Sequence, residues 1–158
     1  ITFFRIILIF RMITFLEINL KSYVWVLIVI GGFSDFADGF IAKKYNLKTS
    51  LGATIDPFAD KIFILIPLTW LCINQTIPFW SFSIIILREF FITSIRKSKR
   101  NGMPAISIAK YKSFFQFLAL LLLFYPNENI LIFDIGIISY WISFLLCIYS
   151  SLIYLRFK

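Results

Sequence analysis

Apolar runs dominate the chain, and short polar breaks divide them into six. The runs cover about Ile1–Ile18, Tyr23–Ala42, Leu51–Ile73, Pro78–Arg96, Ile106–Tyr125 and Ile130–Leu155. Each approaches the roughly 20 residues an apolar helix needs to cross a bilayer. The breaks fall at Asn19-Leu20-Lys21-Ser22, Lys43–Ser50, Asn74-Gln75-Thr76, Lys97–Ala105 and Pro126–Asn129, where Gly, Pro, Asn and Ser mark turns. The pattern predicts an all-α integral membrane protein with six transmembrane helices, folded as a single domain over residues 1–158. The first run carries Arg5, Arg11 and Glu17 and has no small-residue cleavage site, so it does not read as a cleavable signal peptide. Because the chain opens on Ile1 rather than Met, the expectation is a truncated N-terminus lacking a few residues.

Composition agrees with this pattern. The chain is 60% hydrophobic, with a mean hydropathy of +0.89, whereas soluble domains sit nearer half apolar. The formal charge is +8, and the basic residues sort by loop. Lys43, Lys44 and Lys48 lie between the second and third runs; Arg96, Lys97, Lys99, Arg100, Lys110 and Lys112 surround the fourth junction; Arg156 and Lys158 end the chain. The opposite loops carry only Lys21. The positive-inside rule then puts both termini and these basic loops in the cytoplasm. This distribution needs no nucleic-acid partner. Cys72 and Cys147 lie in apolar runs without metal-type spacing and read as fillers.

The acidic residues do not fit so easily. Asp35, Asp38, Asp56 and Asp60 fall near the cytoplasmic ends of the second and third runs. Each carboxylate at membrane depth costs a few kcal/mol or more. Asp35 and Asp38 are three apart and Asp56 and Asp60 four apart, so each pair shares a helix face. A short loop makes the two helices antiparallel neighbours, which lets the four carboxylates converge. Ion pairs with Lys43, Lys44 and Lys61 are the structural explanation; bound divalent metal is the functional one. With no His in the chain, the metal must be held by oxygen, as Mg²⁺, Mn²⁺ or Ca²⁺ are. Gly39 and Gly52 either permit close helix packing or let a ligand approach the backbone. Glu128 and Asp134 lie on the opposite side and read as interfacial.

These residues resemble a family signature. Asp35-x2-Asp38-Gly39-x2-Ala42-Lys43-x8-Gly52-x3-Asp56-x3-Asp60 is similar to D-x2-D-G-x2-A-R-x8-G-x3-D-x3-D of the CDP-alcohol phosphatidyltransferases. Every fixed position matches except Lys43, where the family has Arg. Lys keeps the charge but loses the fork that grips two phosphate oxygens. The resemblance implies a bundle of six transmembrane helices, a homodimer, and two divalent cations, Mg²⁺ or Mn²⁺, at the cytoplasmic surface. It implies Asp35, Asp38 and Asp56 as metal ligands. Asp60 would be the catalytic base with a share in the metal site, and Gly39, Ala42, Lys43 and Gly52 would bind the nucleotide.

A second region bears on the acceptor. Arg88-Glu89 through Arg96, then Ser107-Ile108-Ala109-Lys110-Tyr111-Lys112-Ser113-Phe114-Phe115-Gln116, is similar to the phosphatidylglycerophosphate synthase branch of the family. Its pattern, R-E-(apolar)4-S…R followed by S…G-K-x-K-T-x-x-Q, has Gly and Thr where this chain has Ala109 and Ser113. The resemblance extends to Thr2 and Arg5 and to Leu51–Lys61. It implies CDP-diacylglycerol and glycerol 3-phosphate as substrates, in phospholipid biosynthesis at a bacterial inner membrane. Arg88, Arg96, Lys110 and Lys112 are candidates for the acceptor's phosphate. Arg88 has the structural alternative of pairing with Glu89, and Lys110 and Lys112 that of marking topology. Other acceptors would make the chain a cardiolipin, phosphatidylinositol phosphate or phosphatidylserine synthase. A divalent-cation transporter would need its acids at the bilayer midplane on broken helices.

Overall fold

The computed structural model describes residues 2–45, 50–98, 107–127 and 129–156, with side chains placed at 5–34, 59, 61–93, 108, 110–127 and 129–153. Six α-helices account for nearly all of them: α1 (Thr2–Glu17), α2 (Lys21–Tyr45), α3 (Ser50–Ile73), α4 (Phe79–Ser98), α5 (Ser107–Leu123) and α6 (Ile130–Arg156). These bounds follow the six apolar runs to within a few residues. Lys48, Lys99, Arg100, Glu128 and Lys158, assigned to loops or ends by the sequence, lie outside the described residues.

The ends of the helices are set by local hydrogen bonding. Asn19 adopts a left-handed conformation (φ 57°) just past α1. There Leu20 N–H donates to the Phe15 carbonyl at 2.9 Å and Asn19 N–H to Leu16 at 3.1 Å. Gln75 repeats the arrangement past α3, with φ 56° and bonds from Thr76 to Leu71 at 2.9 Å and from Gln75 to Cys72 at 3.1 Å. Both are Schellman closures, which satisfy carbonyls that the last turn leaves without partners. At the start of α6 the Asn129 side chain accepts the Leu131 N–H at 3.0 Å, an N-cap. Pro57 and Pro67 both lie inside α3. Neither has an N–H to donate, so two carbonyls of that helix, those of Ala53 and Phe63, lack their i+4 partner. Pro57 therefore lies inside the helix rather than in its first turn.

One helix among the described residues, Ile130–Ile153, is long and apolar enough to cross a membrane. Lys21–Ser34 and Lys61–Ile73 are apolar but shorter. The exterior carries many large apolar side chains, among them Phe33 at 72% exposure and Ile130 at 77%.

The chain forms two compact units. The first comprises residues 1–70 and 124–128, the second 71–123 and 129–158. In the first, α1 packs on α2, and Trp70 Nε1–H donates to the Leu16 carbonyl at 3.2 Å. Gly31 of α2 faces Phe63 of α3 so closely that a Cβ there would lie 2.2 Å from the ring. In the second, α6 packs on both α5 and α4. Trp80 near the start of α4 packs against Trp141 and Phe144 of α6, and Ser81 shares a 2.7 Å hydrogen bond with Tyr140. Farther along both helices, Arg88 bonds to Ser150 and Ser151. Partner numbers rise together, so α4 and α6 run parallel.

Gly31→Ala should lower thermal stability by about 1–3 kcal/mol, since the buried Phe63 ring must move. Adding Phe63→Leu should recover part of the loss. Thermal denaturation in detergent reads both, and an unchanged Tm for the single variant would contradict this packing.

Candidate functional site

Both halves of the acidic motif are helical. Asp35, Asp38, Gly39, Ala42 and Lys43 belong to α2, and Gly52, Asp56 and Asp60 to α3. The spacing of three within the first acid pair and four within the second therefore places each pair on one face of its own helix. The side chains of these residues lie outside the described ones, as does that of Arg96 on α4. Among the described residues no group of three or more His, Cys, Asp or Glu is placed to hold a metal. The donor set offered by the motif is carboxylate oxygen alone, which suits a hard cation.

The second unit holds a buried ionic cluster. Arg88 and Glu89 are adjacent on α4, and Lys112 comes from α5. The Glu89 carboxylate accepts from Arg88 at 3.1 Å and from the Lys112 ammonium through the same oxygen, Oε1. Their side chains are 9%, 12% and 5% exposed for Arg88, Glu89 and Lys112. Charges so far from water are tolerated only when paired and hydrogen-bonded. Here two cations share one anion, so the three residues carry a net charge of +1.

The serines of α6 complete the support of Arg88. Its Nε–H donates to Ser151 Oγ at 3.3 Å and an Nη2–H to Ser150 Oγ at 2.7 Å. Each serine hydroxyl spends its own proton on the Cys147 carbonyl, at 3.0 Å from Ser150 and 2.7 Å from Ser151. The directions are thereby fixed: the hydroxyls can only accept from the guanidinium. Of the five N–H groups of Arg88, three are engaged by described residues, one on each nitrogen. Thr93 donates to the Glu89 carbonyl at 2.6 Å, bracing the same turn of α4.

The four acceptor candidates are therefore distributed unevenly. Arg88 and Lys112 come together through Glu89. Lys110 is exposed and, two residues before Lys112, lies on another face of α5.

Comparison with known proteins agrees with the motif. The profile of the family described as CDP-alcohol phosphatidyltransferase matches residues 1–149. The chain belongs to the CDP-alcohol phosphatidyltransferase family. Several of its relatives bear the name CDP-diacylglycerol–glycerol-3-phosphate 3-phosphatidyltransferase. The protein from Wigglesworthia glossinidia brevipalpis is 35% identical over 97% of this chain and 89% of its own length. That from Rickettsia bellii is 34% identical over 82% and 75%, and that from Shigella flexneri 30% identical over 98% and 90%.

In this family member, sequence reasoning missed Ser150 and Ser151 and treated Glu89 only as a partner for Arg88. A serine pair in an apolar helix carries little signal, because serine can bond back to its own helix and needs no other partner. Glu89→Gln should cost about 3–5 kcal/mol, since it leaves two buried cations without their counter-charge. Ser150→Ala should cost less, about 1–3 kcal/mol, for one orphaned guanidinium N–H. Denaturation in detergent should rank them in that order; a Glu89→Gln variant as stable as the parent would refute the shared-carboxylate arrangement.

Proposed function

We propose that this chain transfers the phosphatidyl group from CDP-diacylglycerol to sn-glycerol 3-phosphate, giving phosphatidylglycerophosphate and CMP. The observation that carries this reading is the buried Arg88–Glu89–Lys112 cluster, whose surplus positive charge suits an anionic acceptor. The acidic signature supplies the CDP-alcohol half, and the relatives bearing this activity's name support the whole. Uncharged or zwitterionic acceptors such as inositol and serine would leave the surplus cation unanswered.

The reaction would run in a bacterial inner membrane. Six spans with both termini in the cytoplasm fit the loop charges, and parallel α4 and α6 fit such an up-and-down bundle. The large exposed apolar side chains suit contact with lipid. The lipid tails of the donor would stay in the bilayer while its diphosphate reacts at the cytoplasmic surface, in a homodimer as the family resemblance implies.

In this scheme Asp35, Asp38, Asp56 and Asp60 hold two divalent cations, Mg²⁺ or Mn²⁺. Bound there, such cations neutralise the diphosphate and stabilise the departing phosphate. Gly39, Ala42 and Gly52 line the nucleotide, and Lys43 places a point charge near its phosphates. Arg88 and Lys112 hold the phosphate of glycerol 3-phosphate, with Arg96 and Lys110 adding charge nearby. Asp60 takes the proton of the attacking hydroxyl. The hydroxyl oxygen bonds to the phosphorus bearing diacylglycerol, and the bond from that phosphorus to the oxygen of CMP breaks.

Purified protein in micelles, given CDP-diacylglycerol, labelled glycerol 3-phosphate and Mg²⁺ or Mn²⁺, should form labelled lipid. Chelation should stop turnover, and added Mg²⁺ or Mn²⁺ should restore it. Asp60→Asn should lower turnover by at least about a hundredfold, the share of a positioned base, while retaining part of its nucleotide binding. Folded protein that forms no labelled lipid would sink the proposal.

A further inference from the structure

Among the described residues, buried polar side chains have hydrogen-bond partners, with one exception. Ser81 meets Tyr140, Lys112 meets Glu89, Ser150 meets Arg88, and Ser139 and Ser143 bond to carbonyls of their own helix. Arg5 is likewise engaged. Gln116, at 3% exposure, makes no hydrogen bond with any described residue. A carboxamide brings two donors and an acceptor, and a buried one left empty is uncommon enough to require an explanation.

Its position suggests one. Gln116 lies on α5 four residues after Lys112, so the two share a face. Helical side chains lean toward the N-terminus, which tilts Gln116 toward the turn of Lys112. The two residues are separated by about 6 Å of helix rise, the scale of a three-carbon polyol phosphate. A cation held by Glu89 at one turn and an open carboxamide at the next match such a molecule: phosphate at one, hydroxyl at the other. A carboxamide can both donate to and accept from an alcohol.

We infer that Gln116 is a specificity-determining residue, hydrogen-bonding the non-reacting C2 hydroxyl of glycerol 3-phosphate while Lys112 faces its phosphate. The inference rests on the transferase reading above and adds to it the group that distinguishes this acceptor from other small phosphorylated alcohols. A trapped water would satisfy the amide without any part in acceptor choice, and substrate discrimination separates the two.

Two acceptors are compared on the full chain in micelles at saturating CDP-diacylglycerol: glycerol 3-phosphate and 3-hydroxypropyl phosphate, which lacks the C2 hydroxyl. The parent should prefer glycerol 3-phosphate by about tenfold or more in kcat/KM, the loss expected when a buried polar group goes unpaired. Gln116→Met keeps the volume and removes the amide. It should raise the KM for glycerol 3-phosphate by about the same factor and erase the preference. Its KM for CDP-diacylglycerol should be unchanged and its Tm equal or higher. Equal use of both acceptors by the parent, or retained discrimination by Gln116→Met, would overturn the inference alone. The parent arm decides even if the variant does not fold. No lipid from either acceptor would overturn the transferase reading and the inference with it.

Discussion

The Glu89 carboxylate holds two cations from different helices through a single oxygen. In an apolar interior such an arrangement is costly to assemble and costlier to break, because each member justifies the burial of the others. Its demands spread outward. Arg88 needs acceptors beyond Glu89 and finds them in Ser150 and Ser151, which fixes α6 beside α4 along that stretch. The Trp80 cluster secures the same two helices two turns away. Lys112 ties α5 to α4. Three helices are thus oriented by one anion, and a surplus of one positive charge remains.

That surplus links packing to function. A buried ion pair of balanced charge would be explained by structure alone. Under the proposed function the uneven triad would receive the phosphate of the acceptor. The acidic signature of α2 and α3 makes the complementary demand, carboxylates that need cations. In the proposed reaction the two halves would take ligands of opposite sign, divalent metal for the acids and a phosphorylated alcohol for the bases.

The six helices were legible because alternation between apolar runs and Asn, Ser or Pro breaks is a strong local signal. Asn19 and Asn129 fell in the breaks read as turns, where the structure contains a C-terminal closure and an N-cap. Gln75 in the left-handed region was less predictable, since nothing in its own chemistry favours that conformation over the neighbouring Asn74. The signature acids stood out in the sequence by their cost at membrane depth, and their side chains lie outside the described residues. The support for Arg88 was not, because it comes from residues more than sixty positions away whose serines could as well have bonded only to their own helix. Gln116 sat in plain view in the sequence, but its meaning depends on being buried without a partner among the described residues, which only packing reveals. Lys110 and Lys112 looked equivalent, and helix geometry separates them, exposing one and burying the other.

The central claim is that the cationic triad selects a phosphorylated acceptor for a CDP-diacylglycerol donor. Its most direct test is a competition. Purified protein with CDP-diacylglycerol and Mg²⁺ is offered equal concentrations of glycerol 3-phosphate, serine, inositol and phosphatidylglycerol, and the lipid products are read by mass spectrometry. The account predicts phosphatidylglycerophosphate as the dominant product. Phosphatidylserine, phosphatidylinositol or cardiolipin in its place would contradict it.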